Sequence, residues 1–233
     1  MKGRQATADT TRERIVAAAV ELLTEGGREA VSTRAVSAAA GVQAPAIYRL
    51  FGDKQGLLDA VATHGFETYL RSKTALQPNA DPVDDLREGW DTHVGFGLAN
   101  PALYSLMYGD PRPGAPPPAA LVGAGMLAEL IRRIAAAGRL RVSEEQAAQL
   151  LHSVAVGTTL TLIALPEDRR DPAAADLARD AVIAAVTTDT PLPATPGPAG
   201  AAIALRAVLP ETTALSAAER ALLEQWLDRI ARE

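Results

Sequence analysis

The residues whose chemistry stands out lie between positions 32 and 54, where the sequence predicts two short helices joined by a tight turn. Ser32 can cap the first helix, expected over residues 33–40, because its hydroxyl can accept a hydrogen bond from an unpaired amide of the first turn. Gly41 follows where the chain must reverse, in a left-handed conformation that glycine adopts at little cost. The second helix is expected over residues 44–51. This pattern predicts a helix-turn-helix.

The outward side chains of these two helices suit the major groove of DNA. Ile47 and Phe51, four residues apart, form the inner stripe of the second helix and leave its other side chains outside. Arginine can bond guanine through two donors, and tyrosine or lysine can hold phosphates. The alternative is a pair of packing helices that touch no DNA. The predicted DNA contacts are Thr33, Arg34, Gln43, Ala44, Pro45, Ala46, Tyr48, Arg49 and Lys54.

With residues 10–58 around it, this stretch resembles the DNA-binding domain of TetR-family transcriptional regulators. The resemblance covers about the first quarter of the chain, in family order and spacing: Ile15, Ala18 to Leu22, Gly26, Thr33-Arg34, Ala40-Gly41-Val42, Ile47 to Phe51, Asp53-Lys54 and Leu57-Leu58. It implies a homodimer that binds a near-palindromic double-stranded DNA operator, most often as a repressor. Two positions depart from the family pattern. Gln43 stands where many members have a capping serine, and Ala44 offers no base-reading side chain.

Composition is consistent with a folded cytoplasmic protein. The 233 residues are 48% hydrophobic and 22% charged, which is typical of globular proteins. We expect no membrane-spanning segment and no signal peptide, and the absence of cysteine excludes disulfides and thiolate sites. The net charge is −5, yet residues 1–58 carry eight basic and six acidic side chains. Positive charge is therefore concentrated at the end that would meet phosphates.

The whole chain is expected to be all-α and divided into two domains. A helix-turn-helix domain is predicted at residues 9–58, with a connecting helix at 53–73 and a helical ligand-binding and dimerisation domain at 82–233. The first helix is expected to start at a Thr10 cap and to end at Gly26-Gly27, behind a mobile arm. Breaks are expected at residues 77–82, 109–117 and 190–200. Further helices are predicted at 82–99, 101–108, 118–137, 144–165, 172–187, 201–209 and after a Ser216 capping box.

The resemblance implies that two helices near the C-terminus pair with those of a second subunit. The candidates are the helices at 144–165 and 172–187, through Leu150, Val154, Leu177, Ala181 and Ala185. The first of them is apolar nearly all round, which predicts burial on several sides. Packing within one subunit is the alternative. The last two helices look like an addition to the usual family length, and would either embrace the partner or cover the ligand site.

A site for a small hydrophobic effector is predicted on the helices of the second domain. Aromatic residues make up only 4% of the chain, yet four of them lie between positions 90 and 108. Polar tips on an apolar lining would orient a small molecule, and an ordinary core is the alternative. The predicted ligand contacts are Trp90, His93, Phe96, Tyr104, Met107, Tyr108, Met126, Leu130, His152 and Thr158.

The sequence offers little for catalysis. His64, His93 and His152 have no neighbouring ligand at the spacing that a zinc site requires. We therefore expect no metal, no cofactor and no enzymatic activity. The rival hypothesis is a small-molecule binding protein or enzyme that retains a vestigial helix-turn-helix.

Overall fold

The computed structural model describes residues 2–74, 78–109, 116–189 and 197–232, with side chains from residue 10 onward. The described residues form eleven α-helices and no strand, apart from one bridge between Leu140 and Thr187. The all-α prediction is confirmed. The helices are α1 (Lys2–Ala30), α2 (Thr33–Ala39), α3 (Ala44–Phe51), α4 (Lys54–Thr74), α5 (Pro82–Ala99), α6 (Pro101–Tyr108), α7 (Pro118–Ala136), α8 (Glu144–Ala164), α9 (Pro172–Val186), α10 (Pro198–Val208) and α11 (Ala217–Ile230).

The N-terminus differs from the expected mobile arm because α1 already begins at Lys2. Residues 2–10 contain no proline and several good helix formers, so the helix extends past the predicted cap at Thr10. Gly27 then interrupts the helix with φ 66° and ψ −168°, close to its predicted end. One further turn carries the chain to Ala30.

The chain divides into two compact units, each with its own core. Unit 1 comprises residues 1–75 and 95–121, and unit 2 comprises residues 76–94 and 122–233. The core of unit 1 is built from α1 to α4, joined by Leu103 of α6. The domain limits 9–58 and 82–233 stay a prediction.

Within unit 1, α4 and α6 approach closely at Gly65. A Cβ atom on Gly65 would lie 2.8 Å from Met107 Sδ and 2.9 Å from Leu103 Cδ1. Real Cβ atoms do not approach other heavy atoms so closely. The glycine therefore allows α6 to pack against α4, the helix that begins just after α3.

Within unit 2, α8 packs along α9 and buries a single stripe, which includes Leu151, Ala155 and Thr159. The prediction that this helix is buried on several sides is wrong for the single chain, because Leu150 is 41% exposed and His152 is also exposed. By length and composition α8 could also cross a membrane, although we expected no such segment from the sequence. The buried stripe of α8 packs on α9, as in a helix of a folded protein.

The last two helices form a hairpin in unit 2. Leu209 and Leu227 are buried in its small core, and the predicted Ser216–Glu219 capping box is present at the start of α11. Arg206 of α10 pairs with Glu145 of α8. α10 begins three residues earlier than predicted, at a proline that suits a first turn.

Parts of the three predicted breaks lie outside the described residues, namely residue 77, residues 110–115 and residues 190–196.

Candidate functional site

The turn between α2 and α3 has the predicted geometry. The Ser32 hydroxyl accepts a hydrogen bond from the Ala35 amide at 3.1 Å and caps α2. Gly41 has φ 61°, and the Val42 amide donates to the Ser37 carbonyl oxygen at 3.0 Å. Gln43 precedes α3 without a side-chain capping bond, so the departure from a capping serine has a structural consequence.

The surface of this helix pair carries the predicted DNA-contact residues. Ile47 is fully buried, and this orients α3 with Tyr48 and Arg49 outward; the Tyr48 side chain is 52% exposed. Arg34, Gln43, Pro45 and Lys54 are also exposed, whereas Thr33, Ala44 and Ala46 are partly buried. The surface thus offers two guanidinium groups, one ammonium group and one phenol around small side chains.

Two arginines of α1 fix the ends of the helix pair, a role that sequence reasoning missed. Arg14 Nε donates to the Ala40 carbonyl oxygen at the end of α2, at 3.0 Å. Arg12 Nη1 donates to the Leu50 carbonyl oxygen in the last turn of α3, also at 3.0 Å. Cationic side chains at helix C-termini satisfy orphan carbonyl groups and complement the helix dipole. The sequence carries no local signal for this role, because the contacts join residues 38 and 26 positions apart.

Asp53 defines the start of α4, the helix that leaves the helix pair. Its Oδ1 accepts from the Gly56 amide at 2.8 Å, and its carbonyl oxygen accepts from the Leu57 amide at 3.2 Å. Leu57 and Leu58 are buried in the core of unit 1. α4 is therefore anchored to the same core as α3.

Four of the predicted ligand contacts lie in unit 1, and three of them join an aromatic cluster. The rings of Tyr104 and Tyr108 are 4.7 Å apart between centroids. Phe66 of α4 meets Tyr108 edge-on at 5.3 Å, and Tyr69 of α4 lies 5.3 Å from Phe96. The sequence analysis assigned Phe66 and Tyr69 to no site. The fourth predicted contact, Met107, lies against Gly65.

The polar groups of this aromatic cluster are desolvated. Burial, with smaller contributions from Tyr108 and Tyr104, raises the pKa of the Tyr69 phenol well above its usual value. Burial also raises the pKa of Tyr108 to about 12. Lys73 lies one turn beyond Tyr69, with Nζ 5.5 Å from the Tyr69 ring centroid, and burial lowers its pKa to about 8. These phenols remain protonated at neutral pH and can act as hydrogen-bond donors.

The other six predicted ligand contacts lie in unit 2 and differ in burial. Trp90 and His93 of α5 are buried. Met126, Leu130 and Thr158 are partly buried, whereas His152 is exposed on α8. The three histidines of the chain lie on α4, α5 and α8. Among the described residues, no three His, Asp or Glu side chains are grouped as a metal site would require.

Trp90 has an unusual hydrogen-bonding state. Its side chain is 5% exposed, and Nε1 has no hydrogen-bond acceptor among the described residues. The flanking carboxylates of α5 are paired in unit 2: Asp85 with Arg133 at 2.7 Å, and Asp91 with Arg179 at 2.8 Å. The indole N–H is thus a buried donor on a helix whose carboxylates at Asp85 and Asp91 are ion-paired.

Comparison with protein families identifies the N-terminal region. Residues 15–61 match the family model described as bacterial regulatory proteins, tetR family. The tetracycline repressor protein class C of Escherichia coli is 45% identical over 51 residues, which are 22% of this chain. The match spans only 23% of that repressor's length. The family model therefore covers the helix-turn-helix, and the match to this repressor is confined to about a fifth of the chain.

Solved structures extend the likeness beyond the N-terminal region. A single-substitution variant of TetR from Acinetobacter baumannii AYE, in complex with minocycline, superimposes with a TM-score of 0.58 at 25% identity. That match covers 73% of this chain and 93% of the other. A regulatory protein of the tetR family from Rhodococcus RHA1 gives a TM-score of 0.58 at 23% identity, covering 77% and 98%. At 23% identity, the similarity to the Rhodococcus protein shows a shared fold and nothing more.

Proposed function

We propose that this chain, a TetR-family protein by its N-terminal domain and its fold, is a sequence-specific DNA-binding regulator released from its operator by a small hydrophobic molecule. The observation that carries the proposal is α3. This helix has a fully buried Ile47 on one side and exposed Tyr48 and Arg49 on the other, within the matched residues 15–61.

For DNA recognition, we assign base reading to Arg49 and backbone contact to Tyr48 and Lys54. Arg49 lies in the exposed part of α3, where a guanidinium group can bond O6 and N7 of guanine. Lys54 begins α4 and Arg34 lies in the first turn of α2, so both flank α3. Thr33, Gln43, Ala44, Pro45 and Ala46 complete the proposed surface. The small side chains among them would let the backbone approach the groove.

For assembly, we propose a homodimer through the open faces of α8 and α9. Leu177 is 71% exposed in the single chain, and Leu150, Ala181 and Ala185 are also exposed. With Val154 they supply apolar or small side chains on two neighbouring helices, a composition suited to close helix packing. A symmetric dimer would present its two α3 helices to half-sites about 34 Å apart, which is one turn of DNA. A near-palindromic operator follows.

For regulation, we propose that the effector acts through α6 and α4. The aromatic cluster joins Tyr108 of α6, which packs on Tyr104, to Phe66 of α4, and α4 begins beside α3. A ligand that displaces α6 would therefore also displace the start of α4. The effector releases DNA only if it binds the released form more tightly, because equal affinity for both forms shifts nothing. The Acinetobacter relative, which holds minocycline, supports ligand binding in this fold.

We place the protein in the cytoplasm, where operator DNA is present. The relatives are transcription regulators, and the proposal assigns no catalytic role to any residue.

The proposal is tested by selection of DNA from the source genome. Purified protein is mixed with a pool of labelled genomic fragments at two salt concentrations, and the retained fragments are sequenced. Enrichment of a near-palindromic sequence, with retention that falls steeply as salt increases, is the expected result. A folded, dimeric protein that enriches no sequence at either salt concentration would contradict it.

A further inference from the structure

Trp90 presents the least explained polar group in unit 2. Its indole is 5% exposed, and Nε1 has no acceptor among the described residues. A buried donor without an acceptor costs roughly 1–3 kcal/mol of desolvation that no bond returns. Such groups are rare in native proteins, and each one points to a ligand, a water molecule or a functional strain.

The charges around α5 indicate what kind of acceptor would fit. Asp85 of α5 pairs with Arg133, and Asp91 pairs with Arg179. Asp81, just before α5, pairs with Arg139. Arg133 and Arg179 are therefore already paired with carboxylates of α5, and Arg139 with the carboxylate that precedes it. A bound anion would have to compete with these pairs, whereas a neutral oxygen acceptor would not.

The apolar surroundings of Trp90 further restrict the chemical class of the ligand. The buried residues of α5 in unit 2 include Val83, Leu86 and Val94, with His93 as a second buried polar side chain, so the indole N–H lies on a mainly apolar face. Transfer of a polar group into such surroundings is unfavourable unless the group is hydrogen-bonded. A ligand with one acceptor and an otherwise apolar body would supply the missing bond and add apolar burial.

We propose that Trp90 Nε1–H is the hydrogen-bond donor to a neutral, mainly apolar ligand that carries a carbonyl oxygen, such as a ketone, an ester or a lactone. This inference rests on the proposed function, since it names the chemical class of the effector. It does not rest on the identity of the operator, so direct binding to the DNA-free protein can test it.

The test compares ketones with matched hydrocarbons. The probes are 4-phenyl-2-butanone and 2-nonanone, with butylbenzene and nonane as partners that lack the oxygen, and 4-phenylbutanoate as an anion of similar size. The protein has two tryptophans, Trp90 and the exposed Trp226, so their indole N–H resonances report separately. We expect a ketone to move the Trp90 resonance downfield in a saturable way and to leave that of Trp226 unchanged.

The variant Trp90→Phe removes the N–H and keeps an aromatic ring. It should weaken ketone binding by roughly five- to tenfold, the net value of one buried hydrogen bond, and should change hydrocarbon binding by less than about twofold. Trp226→Phe is the matched control and should change neither. Retained dimer mass and an unchanged circular dichroism spectrum show that the variants are folded.

Several outcomes would overturn the proposal. They are a Trp90 resonance that no ketone moves, an equal loss of ketone and hydrocarbon affinity in Trp90→Phe, and tighter binding of 4-phenylbutanoate than of the ketones. The first would assign the donor to a buried water molecule. If the ketones bind as expected but selected operator DNA is not released, the inference survives and the regulatory part of the proposed function fails.

Discussion

The guanidinium group of Arg12 lies 4.6 Å from the centroid of the Phe51 ring and donates a hydrogen bond to the carbonyl oxygen of Leu50. α1 thereby holds the C-terminal turn of α3. With Arg14 at the end of α2, the two arginines satisfy helix ends that would otherwise carry unpaired carbonyl groups. Both side chains bond within the protein, so we expect them to position the proposed DNA-contact surface and not to contact phosphate.

Replacement of Arg12 by Met should therefore weaken operator binding without changing its salt dependence. Loss of the cation–π contact and the hydrogen bond should lower the free energy of unfolding by about 1–2 kcal/mol. Arg34→Met is the matched control, because Arg34 is exposed on α2. If Arg34 contacts phosphate, its loss should reduce the slope of log affinity against log salt by about one. An equal reduction in Arg12→Met would show that Arg12 also contacts phosphate.

Replacement of Arg49 by Ala should reduce binding to the best operator by roughly 1–3 kcal/mol and relax the preference at one base pair. The reason is the loss of two hydrogen bonds to a single base. Competition binding with operators that vary at each position measures both effects. A uniform loss on all sequences would make Arg49 a backbone contact.

The helix pair α2–α3 could be predicted from sequence because each residue that indicates it acts on its near neighbours in the chain. Ser32 caps its own helix, Gly41 adopts the left-handed turn, and Ile47 faces the core, each within a few residues of its partner. The contacts Arg12–Leu50 and Arg14–Ala40 join residues 38 and 26 positions apart. Neither residue type nor spacing reveals such a pairing.

The burial of α8 and the aromatic contacts of α4 were harder to predict for a related reason. An apolar helix such as α8 has the same composition whether its second face meets its own chain or a partner, so the expected burial of Leu150 was wrong for the single chain. The contact of Phe66 with Tyr108 depends on where α6 crosses α4, and that crossing requires Gly65, which lies against Leu103 and Met107 of α6. The contact of Tyr69 with Phe96 depends on where α5 passes α4. The aromatic residues between positions 90 and 108 indicated a candidate site, but their contacts with α4 could be identified only from the packing of the helices.

Replacement of Leu177 by Glu tests the proposed dimer surface. Leu177 is 71% exposed in the single chain, so the change should leave the fold intact. At a dimer interface it would bury an unpaired charge, which costs several kcal/mol, and the variant should sediment as a monomer. Leu205→Glu, at an exposed position on α10, is the control and should remain dimeric. A dimeric Leu177→Glu protein would place the interface elsewhere.

The pairing of Arg206 with Glu145 predicts a pH dependence of stability. Hydrogen bonding from Arg206 lowers the pKa of Glu145 to about 2. The folded-state pKa lies below the unfolded value, so the pair stabilises fully above about pH 4.5, and this stabilisation is lost as the pH falls towards 2. Because the Glu145 side chain is 56% exposed, we expect only about 0.5–1 kcal/mol.

Urea unfolding of Glu145→Gln at pH 7 and pH 3 measures this contribution. The variant should be less stable than the parent at pH 7, and the difference should shrink at pH 3. Glu167→Gln is the control, since Glu167 is 91% exposed and lies 3.8 Å from Arg170. An identical difference at both pH values would mean that the carboxylate charge does not stabilise the hairpin.

The most direct test of the central claim is the affinity of the purified protein for the sequence selected from genomic DNA, compared with the same fragment carrying one scrambled half-site, at two salt concentrations. We predict that scrambling one half-site reduces affinity by at least about a hundredfold, as loss of several base contacts requires, and that affinity for both fragments falls with salt. Equal affinity for the two fragments at both salt concentrations would contradict sequence-specific recognition by a symmetric dimer.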